Sequence, residues 1–246
     1  KKRAAIRIMV FISGLLLGYC CKEWIRLKES IQTSQEMSDG RNEWGGEERS
    51  EKETASVIVQ EEKKKVALTF DDGPHPSFTE ELLDGLKERG VCVTFFVTGE
   101  HAELHPDIIK RMSDEGHLIG NHTYSHIQLK SDNREEFKQE LVKTNEVIRK
   151  ITGKEPYFVR PPYGTWDKSL EAELDMFPVL WNVDPRDWCN GNPECVAFLV
   201  EKEVSENDII LLHDYYHSSV QAAFEIVDEL LLEGYTFVTV DELLFD

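Results

Sequence analysis

From residue 63 to the end of the chain, short apolar runs alternate with longer stretches in which apolar residues recur at helical spacing. Seven apolar runs predict β-strands, at residues 65–70, 93–97, 118–121, 157–159, 178–183, 208–212 and 236–240. The periodicity between them predicts helices, among others at residues 79–89, 106–115, 134–151 and 220–233. Strands that alternate with helices are typical of a parallel sheet with helices outside it.

The number of predicted strands indicates the architecture. Seven strands in residues 63–246 fall short of a complete eight-stranded α/β barrel, which usually takes about 250 residues. We therefore expect an α/β fold in a single domain, a smaller or incomplete TIM-like (β/α) barrel, with an open doubly wound sheet as the alternative. The helix at residues 79–89 is expected to begin with Thr79 as its N-cap.

The first 62 residues have a different composition. Lys1-Lys2-Arg3 precedes an apolar run that ends at Cys21 and is interrupted only by Arg7. Because a basic start and a short apolar run are typical of an export signal, residues 1–21 are expected to be either a removed signal peptide or a membrane signal anchor. Residues 22–62 are rich in charged and small polar residues and are expected to form a disordered polar linker. The predicted localisation is export, with the domain at 63–246 anchored to the membrane or secreted.

Composition and charge narrow the classes of partner. A hydrophobic content of 40% is sufficient for a sizeable core, and the formal net charge is -19. Nucleic acids need a basic protein surface, so this charge argues against a nucleic-acid partner. A neutral polymer or a small molecule is the expected substrate, and no obligate protein partner is evident.

Polar clusters directly follow five of the predicted strands. They are Asp71-Asp72, residues 122–126, residues 160–164, residues 184–188 and His213-Asp214. Each has a purely structural alternative, such as a strand-to-helix turn for the two aspartates, a proline-stiffened turn after Arg160 or a core position for His213. In α/β barrels, however, the carboxyl ends of the strands carry the active site. Five polar clusters on that edge therefore indicate an active site.

One of these clusters has the spacing of a metal site. His122 and His126 are four residues apart, so that one helical turn would place both imidazoles on one metal ion. Asp72 could complete a set of two histidines and one carboxylate, which leaves coordination positions open for water. The alternative is a pair of surface histidines in a loop. The predicted cofactor is a divalent metal, with zinc expected first and cobalt, manganese or iron as alternatives.

Taken in order, the five clusters resemble the motifs of a known family. The motifs are Thr-Phe-Asp-Asp-Gly-Pro at 69–74, His-Thr-x-x-His at 122–126, Arg-Pro-Pro-Tyr-Gly at 160–164, Asp-x-x-Asp-Trp at 184–188 and Leu-Leu-His at 211–213. This series is similar to that of the polysaccharide deacetylases, carbohydrate esterase family 4 or the NodB homology domain. The resemblance implies a distorted seven-stranded (β/α) barrel, which agrees with the strand count.

The resemblance also implies roles for individual residues around the metal. Asp71 would be the general base, and Arg160 would orient it. Asp72, His122 and His126 would bind the divalent metal.

The remaining motif residues would serve the acetyl group and the leaving amine. The backbone N–H of Tyr163 would stabilise the oxyanion. Asp184 would hold His213, the general acid. Trp188 and Leu211 would form a small apolar pocket for the acetyl methyl group.

From the resemblance and the export signal, we expect a metal-dependent N-deacetylase that acts outside the membrane, facing the cell wall. The expected substrate is the N-acetylglucosamine of peptidoglycan. Chitin oligomers or O-acetylated xylan are alternatives within the same class of enzyme. A catalytically silent carbohydrate-binding domain and a hydrolase of small amides are alternatives from other classes.

Several residues outside the motifs carry weaker expectations. His101, His105 and His117 are interpreted as surface or capping groups near helix ends. Cys189 and Cys195 flank a loop directly after Trp188, and in an oxidising compartment they could form a disulfide. Whether they do is left open by the sequence.

Overall fold

The computed structural model describes residues 64–245. The predicted export segment at 1–21 and the polar linker at 22–62 lie outside the described residues. Within residues 64–245, no helix has both the length and the apolar character that crossing a membrane requires.

The described part of the chain alternates strands and helices as predicted. The strands are β1 (Lys64–Asp71), β2 (Thr94–Val97), β3 (Leu118–Asn121), β4 (Phe158–Val159), β5 (Phe177–Pro178), β6 (Ile209–His213) and β7 (Tyr235–Phe237). The helices are α1 (Phe78–Arg89), α2 (Gly99–Leu104), α3 (Pro106–Asp114), α4 (Arg134–Thr152), α5 (Ser169–Leu174), α6 (Pro193–Glu203), α7 (His217–Leu232) and α8 (Val240–Phe245). Short 3₁₀ turns lie at Pro162–Gly164 and Asp187–Cys189.

All seven strands belong to one parallel sheet. Its order is β5-β4-β3-β2-β1-β6, and β7 pairs with the first residues of β1. The segment after β5 returns to β6 through a bridge between Val183 and Ile210, where the N–H of Leu211 donates to the carbonyl oxygen of Val183 at 2.9 Å. The sheet therefore curls into a distorted, incomplete barrel, which confirms the predicted architecture over the open-sheet alternative.

The core is built around β1, the strand with the most pairing partners. Residues 66–71 of β1 are all buried, as expected of a central parallel strand that is covered on both faces. In α1, Leu82, Leu83 and Leu86 are fully buried against this core. Gly85 lets α1 and α7 approach closely, since a Cβ at this position would lie 2.2 Å from the ring of Phe224.

Two predicted element ends differ from the structure. Thr79 is not an N-cap: α1 begins one residue earlier, and the buried Thr79 hydroxyl donates to Oδ2 of Asp214 at 2.5 Å. The strand predicted at 236–240 ends at Phe237, because a helix begins at Val240. Glu242 causes this change, since its carboxylate accepts the N–H of Thr239 at 3.0 Å, as in a capping box.

Candidate active site

The polar clusters that follow the strands meet at one cavity. Its volume is ≈ 390 Å³. It is lined by every site residue predicted from the sequence except Arg160: Asp71, Asp72, His122, His126, Tyr163, Asp184, Trp188, Leu211 and His213. The parallel curled sheet explains this convergence, because it brings the carboxyl ends of β1, β3, β4 and β6 to the same rim.

Asp72, His122 and His126 point their ligand atoms toward one another. Oδ1 of Asp72 is 3.4 Å from Nε2 of His122 and 3.3 Å from Nε2 of His126. This Oδ1 atom is buried and makes no hydrogen bond. Because an unpartnered buried carboxylate oxygen is costly, the three donor atoms fit a cation held between them. Within the described residues, this is the one group of three or more such side chains that could hold a metal ion.

The two histidines lie in a loop, so the predicted alignment by a helical turn is wrong. Thr123 (φ 62°) and His126 (φ 58°) adopt the left-handed conformation, which turns the chain within four residues. The turn is fixed by Asn121, whose Oδ1 accepts the N–H of Thr123 at 2.8 Å. His122 is oriented by its Nδ1, which lies 2.6 Å from the carbonyl oxygen of Arg160, so its Nε2 remains for a metal.

The protonation of Asp72 and His126 suits metal binding. Burial alone would raise the pKa of Asp72, but its interactions with His122 and His126 outweigh that effect and lower the pKa to about 2. Burial lowers the pKa of His126, which favours the neutral imidazole. A carboxylate and neutral imidazoles are the forms that ligate a divalent cation.

Asp71, at the end of β1, is buried and bonded to Arg160. Nη1 of Arg160 donates to Oδ1 of Asp71 at 2.8 Å and to the Thr69 hydroxyl at 2.6 Å. The guanidinium is fully buried, and its other nitrogens donate to the carbonyl oxygens of Val179 and Leu180, both at 3.3 Å. These hydrogen bonds hold the Arg160 guanidinium in one orientation. Arg160 in turn fixes the Asp71 carboxylate through Oδ1, and Oδ2 of Asp71 remains available for other partners.

The partner of His213 is Asp187, so the predicted pairing with Asp184 is wrong. Oδ1 of Asp187 lies 2.9 Å from Nδ1 of His213, and Oδ2 accepts the backbone N–H of His213 at 2.8 Å. Asp187 is buried, whereas the half-buried Asp184 accepts the N–H of Arg186 at 2.9 Å. The physical reason is the left-handed conformation of Arg186 (φ 57°), which turns the chain between the two carboxylates.

The Asp187 carboxylate also sets the charge of His213. Burial by itself would lower the pKa of His213, but the hydrogen bond and the charge of Asp187 outweigh burial and raise the pKa to about 9. The imidazolium is therefore the main form at neutral pH. A protonated imidazole at the edge of the cavity can donate a proton to a leaving group.

Part of the cavity lining is aromatic and apolar. Tyr163 follows two prolines and has φ 59°, and its ring lies 5.1 Å from that of His126. Trp188 is half exposed, and Leu211 is buried in β6. Their side chains offer an apolar lining next to the polar groups, as small-molecule sites usually have.

The structure also corrects the expectation for His117 and answers the open question of a disulfide between Cys189 and Cys195. His117 is not a surface residue: it is buried, its Nδ1 accepts the N–H of Val93 at 3.2 Å, and burial lowers its pKa to about 4.

Cys189 is a free cysteine whose Sγ lies 3.3 Å from the carbonyl oxygen of Arg186, so no disulfide joins it to Cys195.

The sequence interpretation missed several residues of the site. Asp187 is the second aspartate of the Asp-x-x-Asp-Trp motif and directly precedes Trp188. This position in the motif could have identified it as a site residue. Trp181 and Tyr216 also line the cavity, although neither has a motif position that sets it apart. His101 supports the site from outside, with Nδ1 2.7 Å from the carbonyl oxygen of Asp72.

Comparison with known proteins identifies the family. Residues 59–178 match the sequence profile described as polysaccharide deacetylase. A peptidoglycan-N-acetylglucosamine deacetylase of Bacillus cereus is 37% identical over 216 residues, which cover 85% of this chain and 78% of the relative. The chain belongs to the polysaccharide deacetylase family. The resemblance predicted from the five motifs is thereby confirmed.

Other polysaccharide deacetylases agree in sequence and in structure. The peptidoglycan-N-acetylmuramic acid deacetylase PdaC of Bacillus subtilis is 36% identical over 235 residues, 92% of this chain, but the chain spans only 50% of that protein's length. The solved structure of PdaC matches with a TM-score of 0.72 and 40% identity over 74% of this chain and 90% of the other. A family 4 acetyl xylan esterase of Clostridium thermocellum, solved with a cobalt ion, matches with a TM-score of 0.68 and 36% identity over 73% and 90%.

Proposed function

We propose that this protein is a metal-dependent deacetylase that removes N-acetyl groups from peptidoglycan, with N-acetylglucosamine as the preferred sugar. The observation that carries the proposal is that two proton-transfer groups, at paired positions of β1 and β6, line one cavity. Asp71 is held by Arg160, and His213 is kept protonated by Asp187. A base and an acid that face one cavity are what hydrolysis of an amide requires.

The metal would be held by Asp72, His122 and His126, whose donor atoms lie within 4.8 Å of one another. When bound, a divalent cation supplies Lewis acidity that polarises the acetyl carbonyl and makes water more acidic. We propose zinc, because two imidazoles and one carboxylate suit it. Cobalt is the second candidate, since the related acetyl xylan esterase was solved with a cobalt ion.

The protein groups divide the remaining work. Asp71 accepts the proton of the attacking water, and Arg160 fixes the carboxylate in place for this transfer. The backbone N–H of Tyr163 donates to the oxyanion that forms from the carbonyl, and a donor already in position costs no reorganisation. His213 gives its proton to the departing sugar amine, which is a poor leaving group until it is protonated.

The acetyl methyl group needs an apolar site of its own. We assign it to the side of the cavity formed by Trp188 and Leu211. Asp184 lines the same cavity but bonds the backbone of Arg186, so we assign it a role in the shape of the loop.

The choice of peptidoglycan is supported by the relatives. Two of them are named for peptidoglycan, one for its N-acetylglucosamine and one for its N-acetylmuramic acid. We further propose that residues 1–21 direct export and that residues 22–62 separate the domain from the membrane. O-acetylated xylan is the second candidate substrate, because a solved relative is an acetyl xylan esterase.

Acetate release from a panel of glycans tests the proposal. Peptidoglycan, chitin oligomers and acetylated xylan are incubated with the purified protein, and the metal content of the same sample is measured. Release should be fastest from peptidoglycan and should disappear on chelation and in Asp71→Asn. Release that survives both treatments would contradict the mechanism. Binding of glycan without any release would instead identify a catalytically silent carbohydrate-binding domain.

A further inference from the structure

An aromatic surface continues from the cavity onto the loop after β6. Tyr216 lines the cavity and is 40% exposed, and the adjacent Tyr215 is 37% exposed. Their ring centroids are 6.4 Å apart. Single exposed aromatic residues are ordinary on protein surfaces. Two neighbouring ones at the mouth of a cavity, each with an apolar ring and a polar hydroxyl, are typical of a binding surface.

Tyr215 is held in place by other rings. It packs edge-on against His75 and stacks on His101, with centroid distances of 5.0 Å in both cases. His75 stacks on Phe78 at 4.1 Å and accepts the N–H of Phe78 at 3.1 Å through Nδ1. His101 is fixed in turn by the carbonyl oxygen of Asp72. Tyr215 is therefore pre-organised, and little side-chain entropy is lost when a ligand packs on it.

We propose that Tyr215 and Tyr216, here called the tyrosine platform, bind the sugar next to the one whose acetyl group enters the cavity. A pyranose ring has an apolar face of C–H bonds that packs on an aromatic ring, and a rim of hydroxyl groups that needs polar partners. The exposed pair of His217 and Glu81, 3.4 Å apart, lies beside the platform and can exchange hydrogen bonds with such hydroxyls. His217 follows Tyr216 directly, and Phe78 lies 5.5 Å from its ring.

The platform is continuous with the cavity, and this continuity identifies its occupant. Tyr216 belongs to both surfaces, so a chain with one acetylated sugar in the cavity places its neighbour over the platform. The inference rests on the proposed function, because only a polymeric substrate has a neighbouring sugar.

Kinetics with two substrates test the platform. One substrate is an N-acetylglucosamine hexamer, and the other is 4-nitrophenyl acetate, which presents an acetyl group without a sugar chain. We expect Tyr215→Ala to lower kcat/KM for the hexamer about tenfold more than it lowers kcat/KM for the small ester. Tyr215→Phe keeps the ring and should retain most of the activity on the hexamer. The control is Tyr157→Ala, because Tyr157 is 44% exposed but packs only on rings that do not line the cavity, whereas Tyr215 packs on the lining residue Tyr216.

The outcomes separate the platform from the proposed function. An unchanged kcat/KM for the hexamer in Tyr215→Ala, or an equal loss on both substrates, would overturn the platform. The proposed function fails separately, if the wild-type protein releases no acetate from any glycan. Titration with the hexamer then decides: a tenfold weaker affinity of Tyr215→Ala supports the platform, whereas equal affinity or no binding by the wild-type protein overturns it.

Discussion

The carboxylate of Asp187 accepts two hydrogen bonds from His213, one from its backbone N–H at 2.8 Å and one from its imidazole at 2.9 Å. The two bonds fix both the position of the residue and the tilt of its ring. They also direct the protonated Nδ1 of His213 toward Asp187, so that Nε2 points away from Asp187. A buried carboxylate thus acts as both the support and the charge partner of the proposed acid.

The first prediction concerns the two aspartates of the Asp-x-x-Asp-Trp motif. Asp187→Asn removes the charge that holds the pKa of His213 at about 9. Since the acid must be protonated, activity is lost as the pH rises through that pKa, and a lower pKa moves the loss to lower pH. We expect the alkaline limb of the pH profile of kcat/KM to shift downward and the maximal rate to fall by about 10²–10⁴.

Asp184→Asn is the matched control for this prediction. Its carboxylate bonds the N–H of Arg186 rather than His213. The alkaline limb should therefore stay where it is in the wild-type protein. A downward shift in Asp184→Asn, with none in Asp187→Asn, would show that Asp184 is the partner of His213, as expected from the sequence.

The second prediction concerns the buried pair of Arg160 and Asp71. Arg160→Met removes four hydrogen bonds and leaves the Asp71 carboxylate buried without its cation. Loss of one partner of a buried ion pair typically costs about 3–5 kcal/mol. We expect a loss of this size in the free energy of unfolding, measured by urea denaturation.

A double-mutant cycle isolates the contribution of the charge. Asp71→Asn combined with Arg160→Met should lose less stability than the sum of the single variants, because the amide carries no charge to be left unpaired. Additive losses would mean that Arg160 stabilises the fold through its bonds to Thr69, Val179 and Leu180 alone.

The third prediction concerns metal binding by Asp72, His122 and His126, read out without catalysis. A ligand that binds only the folded state at about 100 times its Kd stabilises the protein by about 2.7 kcal/mol, which corresponds to a rise in Tm of about 5–10 °C for a domain of this size. We expect zinc to produce such a rise in the wild-type protein and in His105→Ala, and none in His126→Ala. Equal rises in all three proteins would place the cation elsewhere.

The sequence predicted the elements of this fold well where several signals coincide. The strand at residues 118–121 has the same bounds in the structure, because a glycine stop before it and a polar cluster after it limit the apolar run. Asp72, His122 and His126 follow strands β1 and β3, and the parallel sheet alone brings such ends together.

The sequence could not predict which way individual side chains in the loops point, because this depends on the backbone conformation of single residues. Asp184 and Asp187 are equivalent by composition, and only the left-handed Arg186 between them decides which carboxylate faces His213. His117 was misjudged for a related reason. Its position before β3 gives no sign that its ring turns inward to accept the N–H of Val93.

The fourth prediction concerns His117 and the stability of the fold in acid. Its pKa is about 4 in the folded protein, because burial disfavours the charged ring, against 6.5 in the unfolded chain. Between these values the unfolded state binds more protons, so stability present above pH 6.5 is lost as the pH falls toward 4. The loss from this one residue is at most about 3 kcal/mol.

The comparison of His117→Gln with the wild-type protein measures that loss. Glutamine can accept the N–H of Val93 through its side-chain oxygen but does not titrate. Urea denaturation at pH 7 and at pH 4 should show a smaller decrease for His117→Gln, while carboxylates common to both proteins cancel in the difference. His105→Gln should behave as the wild-type protein. A decrease of the same size in His117→Gln and wild type would contradict this prediction, because it would mean that protonation of His117 costs the folded state nothing, although a protonated Nδ1 cannot accept the N–H of Val93.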